Sequence, residues 1–232
     1  MQVQRQLDAQ EAPSEISATQ RTYLALRRMI VTGELKPGEK LKIDGLRTRL
    51  STGASPIREA LSLLTSDNLV ERLDQRGFRA SPVSKDNFDE ILALRCELED
   101  LALRRSIAGR TQDWEEAIVL SHHRMVRAQE TGDDGFEDRH KEFHMALLAN
   151  CDAPILLKFC SQLYDLNIRY RFLAGASPDY KRRDVSHEHA EIMREAIAGN
   201  ADTASDALLS HYRKTGAFLA GFFRDAVDGA DT

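Results

Sequence analysis

Apolar positions follow two rhythms along this chain. From about Thr19 to Val31, Tyr23, Leu24, Leu26, Met29 and Ile30 recur near the 3.6-residue period of an amphipathic helix, and Thr32-Gly33 ends it. Leu35-Lys36-Pro37-Gly38-Glu39 holds Pro and Gly in the order of a turn, and Leu41 to Ile43 reads as a short extended piece. A second short helix is predicted from about Asp44 to Leu50, then a small-residue break at Ser51-Thr52-Gly53-Ala54. Ser55 is placed to cap the next helix, with Pro56 at its first position, Glu59 in its first turn, and Ile57, Ala60, Leu61 and Leu64 on one side. Two short helices joined by a tight Gly-containing turn have the outline of a helix-turn-helix.

After Asn68 the period drops toward two. Val70 to Leu73 and Phe78 to Val83, separated by Asp74-Gln75-Arg76-Gly77, read as a hairpin with an Arg-Gly tip. A hairpin directly after a helix-turn-helix is a wing, and a cationic tip suits the backbone or minor groove beside a recognition helix. From Lys85 onward helical periodicity dominates, with breaks near Gly109, Gly132 to Gly135, Asp152 to Pro154, Gly175 to Pro178 and Gly199, or about six helices. The expected fold is mainly α: a flexible polar arm over residues 1–18, a winged helix-turn-helix over 19–84, and an all-α antiparallel bundle over 85–232.

Charge supports that division. The whole chain of 232 residues carries −5, yet Thr19 to Ser84 holds 12 Lys and Arg against 7 Asp and Glu, while the part from Lys85 holds 19 against 27. Cations concentrated on one module are what double-stranded DNA requires where it docks. With 30% charged residues and no run near the roughly 20 apolar residues of a membrane span, no membrane partner is expected. Met1 to Ala18 lacks the basic start and apolar stretch of a secretory signal. Cys96, Cys151 and Cys160 fit neither a disulfide framework nor a CxxC metal clip, and read as small buried hydrophobes in a reducing cytoplasm.

Candidate chemistry is sparse. His140 and His144, four apart on a predicted helix, project from one face and can share a cation. His187 lies two from His189 and cannot face the same way; His122 and His123 read as surface residues of a polar helix. Arg47 and Arg49 sit on the helix before the turn, where a phosphate role and a solvated face are equally open.

Taken together, Leu35-x-Pro37-Gly38-Glu39-x-Leu41, Ser55-Pro56-Ile57-Arg58-Glu59-Ala60-Leu61, Asn68-Leu69-Val70 and Arg76-Gly77-Phe78, with Arg95-x-x-Leu98-Glu99, Phe143-His144, Glu188-His189 and His211, resemble the GntR superfamily. The resemblance is to the FadR-like branch with a C-terminal FCD sensing domain. Arg139 to His144 and Arg169-Tyr170-Arg171-Phe172 look like its glutarate-responsive, carbon-starvation repressor group. It implies a homodimer on a pseudo-palindromic operator, released or remodelled by a metabolite; a small carboxylate is the expected effector. Arg58 matches a recognition-helix arginine, Gly77 a wing-tip glycine, and Ser55 and Arg76 join Arg47 and Arg49 as DNA-facing candidates. The alternative for Arg58 is a local ion pair with Glu59 or Asp67, and for Gly77 a plain requirement of turn geometry. Where many relatives carry Ser-Arg-Thr before the Pro, this chain has Gly53-Ala54-Ser55, so one base-reading arginine is missing.

In the second half the resemblance adds His189 and His211 to His140 and His144 as a four-ligand metal set, with His140 standing where Asp is common. Neutral imidazoles favour a divalent transition metal, zinc first and nickel next. Arg95 and, of the later pair, Arg169 rather than Arg171, are the expected carboxylate clamps, against an i,i+4 pair of Arg95 with Glu99. Two other readings stay open: a metallohydrolase using the histidines, with Glu142 or Glu188 as base, and a DNA-binding protein with a purely structural metal. The chain has no HExxH, GxSxG or phosphate-cradling glycine loop, and it is expected not to be an enzyme.

Overall fold

The computed structural model describes residues 16–74, 76–133, 135–174 and 184–228. Residues 1–15 of the arm and the break at Gly175 to Pro178 lie outside the described residues, and Ala18, placed in the arm, opens the first helix. The fold is mainly helical, with one small antiparallel sheet. Two compact units form: one holds residues up to Ile30 and Glu34–Ser81, the other Val31–Gly33 and the chain from Pro82 onward.

The first unit opens with α1 (Ala18–Val31), whose Leu26, Met29 and Ile30 are buried. Strand β1 (Lys40–Leu41) leads into α2 (Ile43–Leu50), and α3 (Ala54–Ser66) follows. Leu46 on α2 and Ile57, Ala60, Leu61 and Leu64 on α3 are buried, so the two helices share the core that the periodicity demands. The start of α3 corrects the sequence reading. Gly53 is the N-cap, and Ser55 and Pro56 lie inside the first turn, where a missing backbone N–H costs nothing. Ser55 Oγ bonds Glu59 at 2.9 Å instead of capping. The left-handed residue of the turn is Ser51, at φ +48°, not the glycine.

The wing is β2 (Val70–Leu73) and β3 (Gly77–Ala80), with sheet order β1-β3-β2. Arg72 pairs with Phe78 and Leu73 with Gly77, so the tip closes at Gly77, whose φ of +93° only glycine adopts without strain. A Cβ there would meet nothing within 4 Å, so it is the backbone conformation, not crowding, that selects glycine.

The second unit comprises α4 (Lys85–Ala108), α5 (Gln112–Thr131), α6 (Phe136–Leu148), α7 (Pro154–Ala174), α8 (Val185–Ile197) and α9 (Ala201–Asp228). Polar caps set several starts: Ser84 accepts from Asn87 N, Thr111 from Trp114 N, and Asp184 from His187 N. Helix α4 is central and packs against α6, α7, α8 and α9, while α5 packs on α6 and α8. The core joins Leu103, Ile107, Trp114, Phe143, Leu147, Ile192 and Leu208, and includes Cys151 and Cys160 as buried thiols. No helix among the described residues is long and apolar enough to cross a membrane.

Candidate functional site

Helix α6 carries Phe143, Leu147 and Leu148 into the core, and the same face holds His140 and His144 one turn apart. His189 on α8 and His211 on α9 meet them. All four are buried, and one nitrogen from each lies within 4.8 Å of the others. Three of the outer nitrogens are tied to oxygens on neighbouring helices. His211 Nδ1 donates to Glu188 Oε2 at 2.9 Å, His140 Nδ1 meets the Tyr164 hydroxyl, and His144 Nδ1 lies 3.0 Å from Tyr212 Oη. Tyr212 gives its one proton to Glu99, so it accepts from His144, and the inward Nε2 of His144 carries the lone pair. That Nε2 is buried with no hydrogen-bond partner, and the Nε2 atoms of His140 and His189 face each other at 3.3 Å.

Burial first, and then the neighbouring histidines and Arg95, push the pKa of His140 and of His144 well below 6.5; burial, His140 and His211 do the same for His189. These three rings are therefore neutral near pH 7. Neutral imidazoles converging within 4.8 Å, the inward lone pair of His144 and the oxygens behind the Nδ1 atoms of His140, His144 and His211 form a donor set that fits a transition-metal ion, which would displace the one proton shared between His140 and His189. The ion itself would polarise bound water or draw in an anion.

Beside the cluster is a cavity of about 20 Å³, enough for about one water, whose lining includes Arg95, His140, His144, Arg171, His211 and Tyr212. Arg95, on α4, is buried between two tyrosine rings, its guanidinium carbon 4.2 Å from the Tyr212 centroid and 5.2 Å from that of Tyr164. It donates to Glu99 at 2.6 Å and to Asn167 Oδ1 at 2.8 Å. Burial opposes its charge, but Glu99 outweighs that and keeps the guanidinium protonated. Arg95 thus both lines the cavity and makes the i,i+4 pair with Glu99. Arg169 is buried but is not among the cavity residues; Arg171, one step round α7, is, and it pairs with Glu137. The two arginines do diverge, with Arg171 the one turned toward the histidines.

In the first unit, Arg58 stands exposed on α3 with no ion pair among the described residues. Both of its alternative partners are engaged: Glu59 accepts from Thr19 and Ser55, and Asp67 from Tyr23. Arg47 pairs with Asp44 at 3.2 Å and Arg49 with Glu34, both on the surface. Arg76 is exposed at the wing tip beside Gly77. Lys40, Lys42 and Arg72 add exposed cations to the same unit, unremarked in the sequence because none belongs to a motif.

Sequence reasoning also missed Tyr164, Asn167 and Tyr212. A tyrosine next to His211 was a weak signal, and Tyr164 had none, since only packing brings α7 to α6. His122 is half-buried with its ring edge-on to Phe143, so it is not a plain surface residue, whereas His123 is exposed.

A helix-turn-helix with a cationic wing, followed by a helical bundle around buried imidazoles, defines a class: a DNA-reading regulator with a separate sensing domain. The chain matches the bacterial regulatory proteins of the gntR family over residues 18–79 and the FCD domain over residues 90–214. It belongs to the GntR family of transcriptional regulators, in the branch with an FCD domain. It is 35% identical over 202 residues to the uncharacterized HTH-type transcriptional regulator BphR of Paraburkholderia xenovorans LB400, covering 84% of this chain and 82% of that one. The HTH-type transcriptional repressor GlaR of Escherichia coli K12 is 29% identical over 203 residues, 82% of this chain and 90% of the relative. The solved E. coli McbR/YncC structure superposes with a TM-score of 0.77 at 24% identity, covering 89% of this chain and 98% of that one, which speaks to the fold. Members of this family regulate transcription and are not enzymes, so the hydrolase reading falls.

Proposed function

We propose that this protein is a cytoplasmic, homodimeric repressor whose sensing domain, residues 85–232, holds a divalent transition metal on His140, His144, His189 and His211. Zinc is the first choice and nickel the second. A small carboxylate bound at the metal and Arg95 shifts the population of arrangements of the two DNA-reading domains, residues 19–84, and so changes operator affinity. Arg58 reads a base, with Ser55, Arg47, Arg49, Arg76 and Gly77 fixing the wing and helices on the duplex.

The observation that carries this reading is the buried, unpartnered Nε2 of His144 aimed into three other imidazoles. An orphaned buried acceptor costs about 1–3 kcal/mol, a penalty that a coordinated ion removes. The test is a thermal-shift panel of mono- and dicarboxylates, glutarate included, on metal-loaded and chelator-stripped protein. A ligand at about 100 times its dissociation constant adds roughly 2.7 kcal/mol. Stabilisation by one acid only with metal present is expected. A metal-dependent Tm that no acid moves would leave a structural metal instead.

A further inference from the structure

The exposed face of α3 is a narrow stripe: Ser55, Arg58, Glu59, Ser62 and Ser66 recur at helical spacing opposite the buried Ile57, Ala60, Leu61 and Leu64. In a helix-turn-helix the first turns of the second helix meet base edges in the major groove, which places Ser55, Arg58 and Glu59 there. Arg58 is a donor suited to a guanine. Glu59 needs another account, because a carboxylate so close to phosphates is repelled by them. Both of its oxygens are already engaged. Oε1 accepts from the Ser55 hydroxyl at 2.9 Å, and Oε2 from the hydroxyl of Thr19, at the start of α1, at 2.7 Å. These two bonds hold the Glu59 pKa below its ordinary value, so the group is an anion at pH 7.

An anionic carboxylate has no proton to give, so Ser55 is the donor in its bond with Glu59, and a hydroxyl has only one proton. The remaining capacity of Ser55 is lone pairs, and so is that of Glu59. Side by side, the two residues make a patch that only accepts. Phosphate oxygens also only accept, so this patch cannot hold the DNA backbone. In the major groove the groups that donate are the exocyclic amines, N4 of cytosine and N6 of adenine, whereas the edges of guanine and thymine present acceptors. We propose that Ser55, with its proton held by Glu59, reads the amino group of a cytosine or adenine next to the guanine read by Arg58. Thr19 anchors the other carboxylate oxygen to α1 and so fixes the direction of the group that orients Ser55. The proposal rests on the base-reading role given to Arg58 above, and it makes Ser55 a second specificity-determining residue rather than a backbone contact.

Selection of bound sites from a pool of randomised duplex DNA tests it, with the full chain as wild type, Arg58→Ala, Ser55→Ala and Glu59→Gln. Arg58→Ala identifies the guanine. Ser55→Ala should identify a neighbouring position at which the wild type favours A or C over G or T on one strand, and should erase that preference, about fivefold for one neutral hydrogen bond. Glu59→Gln should still bind but admit G and T at the same position, because a carboxamide can donate to Ser55 and leave the hydroxyl its proton. Each preference is a ratio within one preparation, so a lower folded fraction does not imitate its loss. A Ser55→Ala protein that selects the same sequence, at whatever affinity, overturns the proposal, and so does a Ser55-dependent position occupied by G or T. Glu59→Gln with the A or C preference intact overturns the part given to the carboxylate. A wild type that selects no sequence overturns the base-reading role itself.

Discussion

Tyr212 donates to Glu99 and accepts from His144, so replacing it with Phe removes two contacts through one atom. Loss of the oxygen behind a ligating imidazole typically lowers metal affinity about 10- to 100-fold. Tyr212→Phe should show that loss in a chelator competition while the protein remains folded; unchanged affinity would remove Tyr212 from the support of the site. The histidines also set a pH dependence. Because the folded pKa values of His140, His144 and His189 are depressed, the unfolded chain binds more protons once pH drops below about 6.5. Stability of the metal-free protein is therefore undiminished by these groups above that value, and is lost as pH falls through it toward their folded values. Urea midpoints from pH 8 to pH 5 check the sign, and a midpoint that rises toward pH 5 contradicts a neutral buried cluster. On the DNA side, Arg58 is exposed and makes no ion pair among the described residues, so, if it reads a base as proposed, Arg58→Ala should leave Tm unaltered and cost about 1–3 kcal/mol of operator discrimination in competition binding. Equal losses on operator and random DNA would make it a phosphate contact.

At the scale of elements, chain breakers made the architecture legible. Gly109, Gly132 and Gly199 end α4, α5 and α8 where the sequence places the breaks, and the wing tip falls at Gly77. The start of α3 was misplaced because Ser55 and Pro56 both favour the first turn, and their side chains do not say which of its positions each takes. Helix pairing was illegible for a different reason: an amphipathic stripe shows that a face is buried, not which helix buries it. That is why the His140 and His144 pair was visible from spacing alone, while the joining of α6 to α8 and α9 came only through the family resemblance. Close approach of α9 to α4 leaves one further mark. A Cβ on Gly216 would run into Leu92 Cδ2, and both residues line the cavity. Gly216→Ala should push the Leu92 side chain into that space, weakening the thermal response to an acid while metal content stays at the wild-type level. Retention of the full response would show that Leu92 swings elsewhere.

For the whole molecule, the two units have separate cores, and only the second contains the histidine cluster. Chelation should therefore lower hydrogen-exchange protection in α6, α8 and α9 and spare α2 and α3. Uniform loss of protection would mean that the units unfold as one. The donor set has a further consequence at this scale, because it contains no anion. On the reading proposed above, a divalent ion held by four imidazoles would keep its formal double charge, because the nearby carboxylates of Glu99 and Glu188 are matched by Arg95 and Lys214. Such a centre would attract chloride and phosphate as well as an organic acid. The proposed switch would then report a ratio, the metabolite against the background of common anions, rather than a concentration. Raising chloride at constant ionic strength should move the midpoint of the response upward, and His140→Asp, by cancelling one charge, should blunt that dependence.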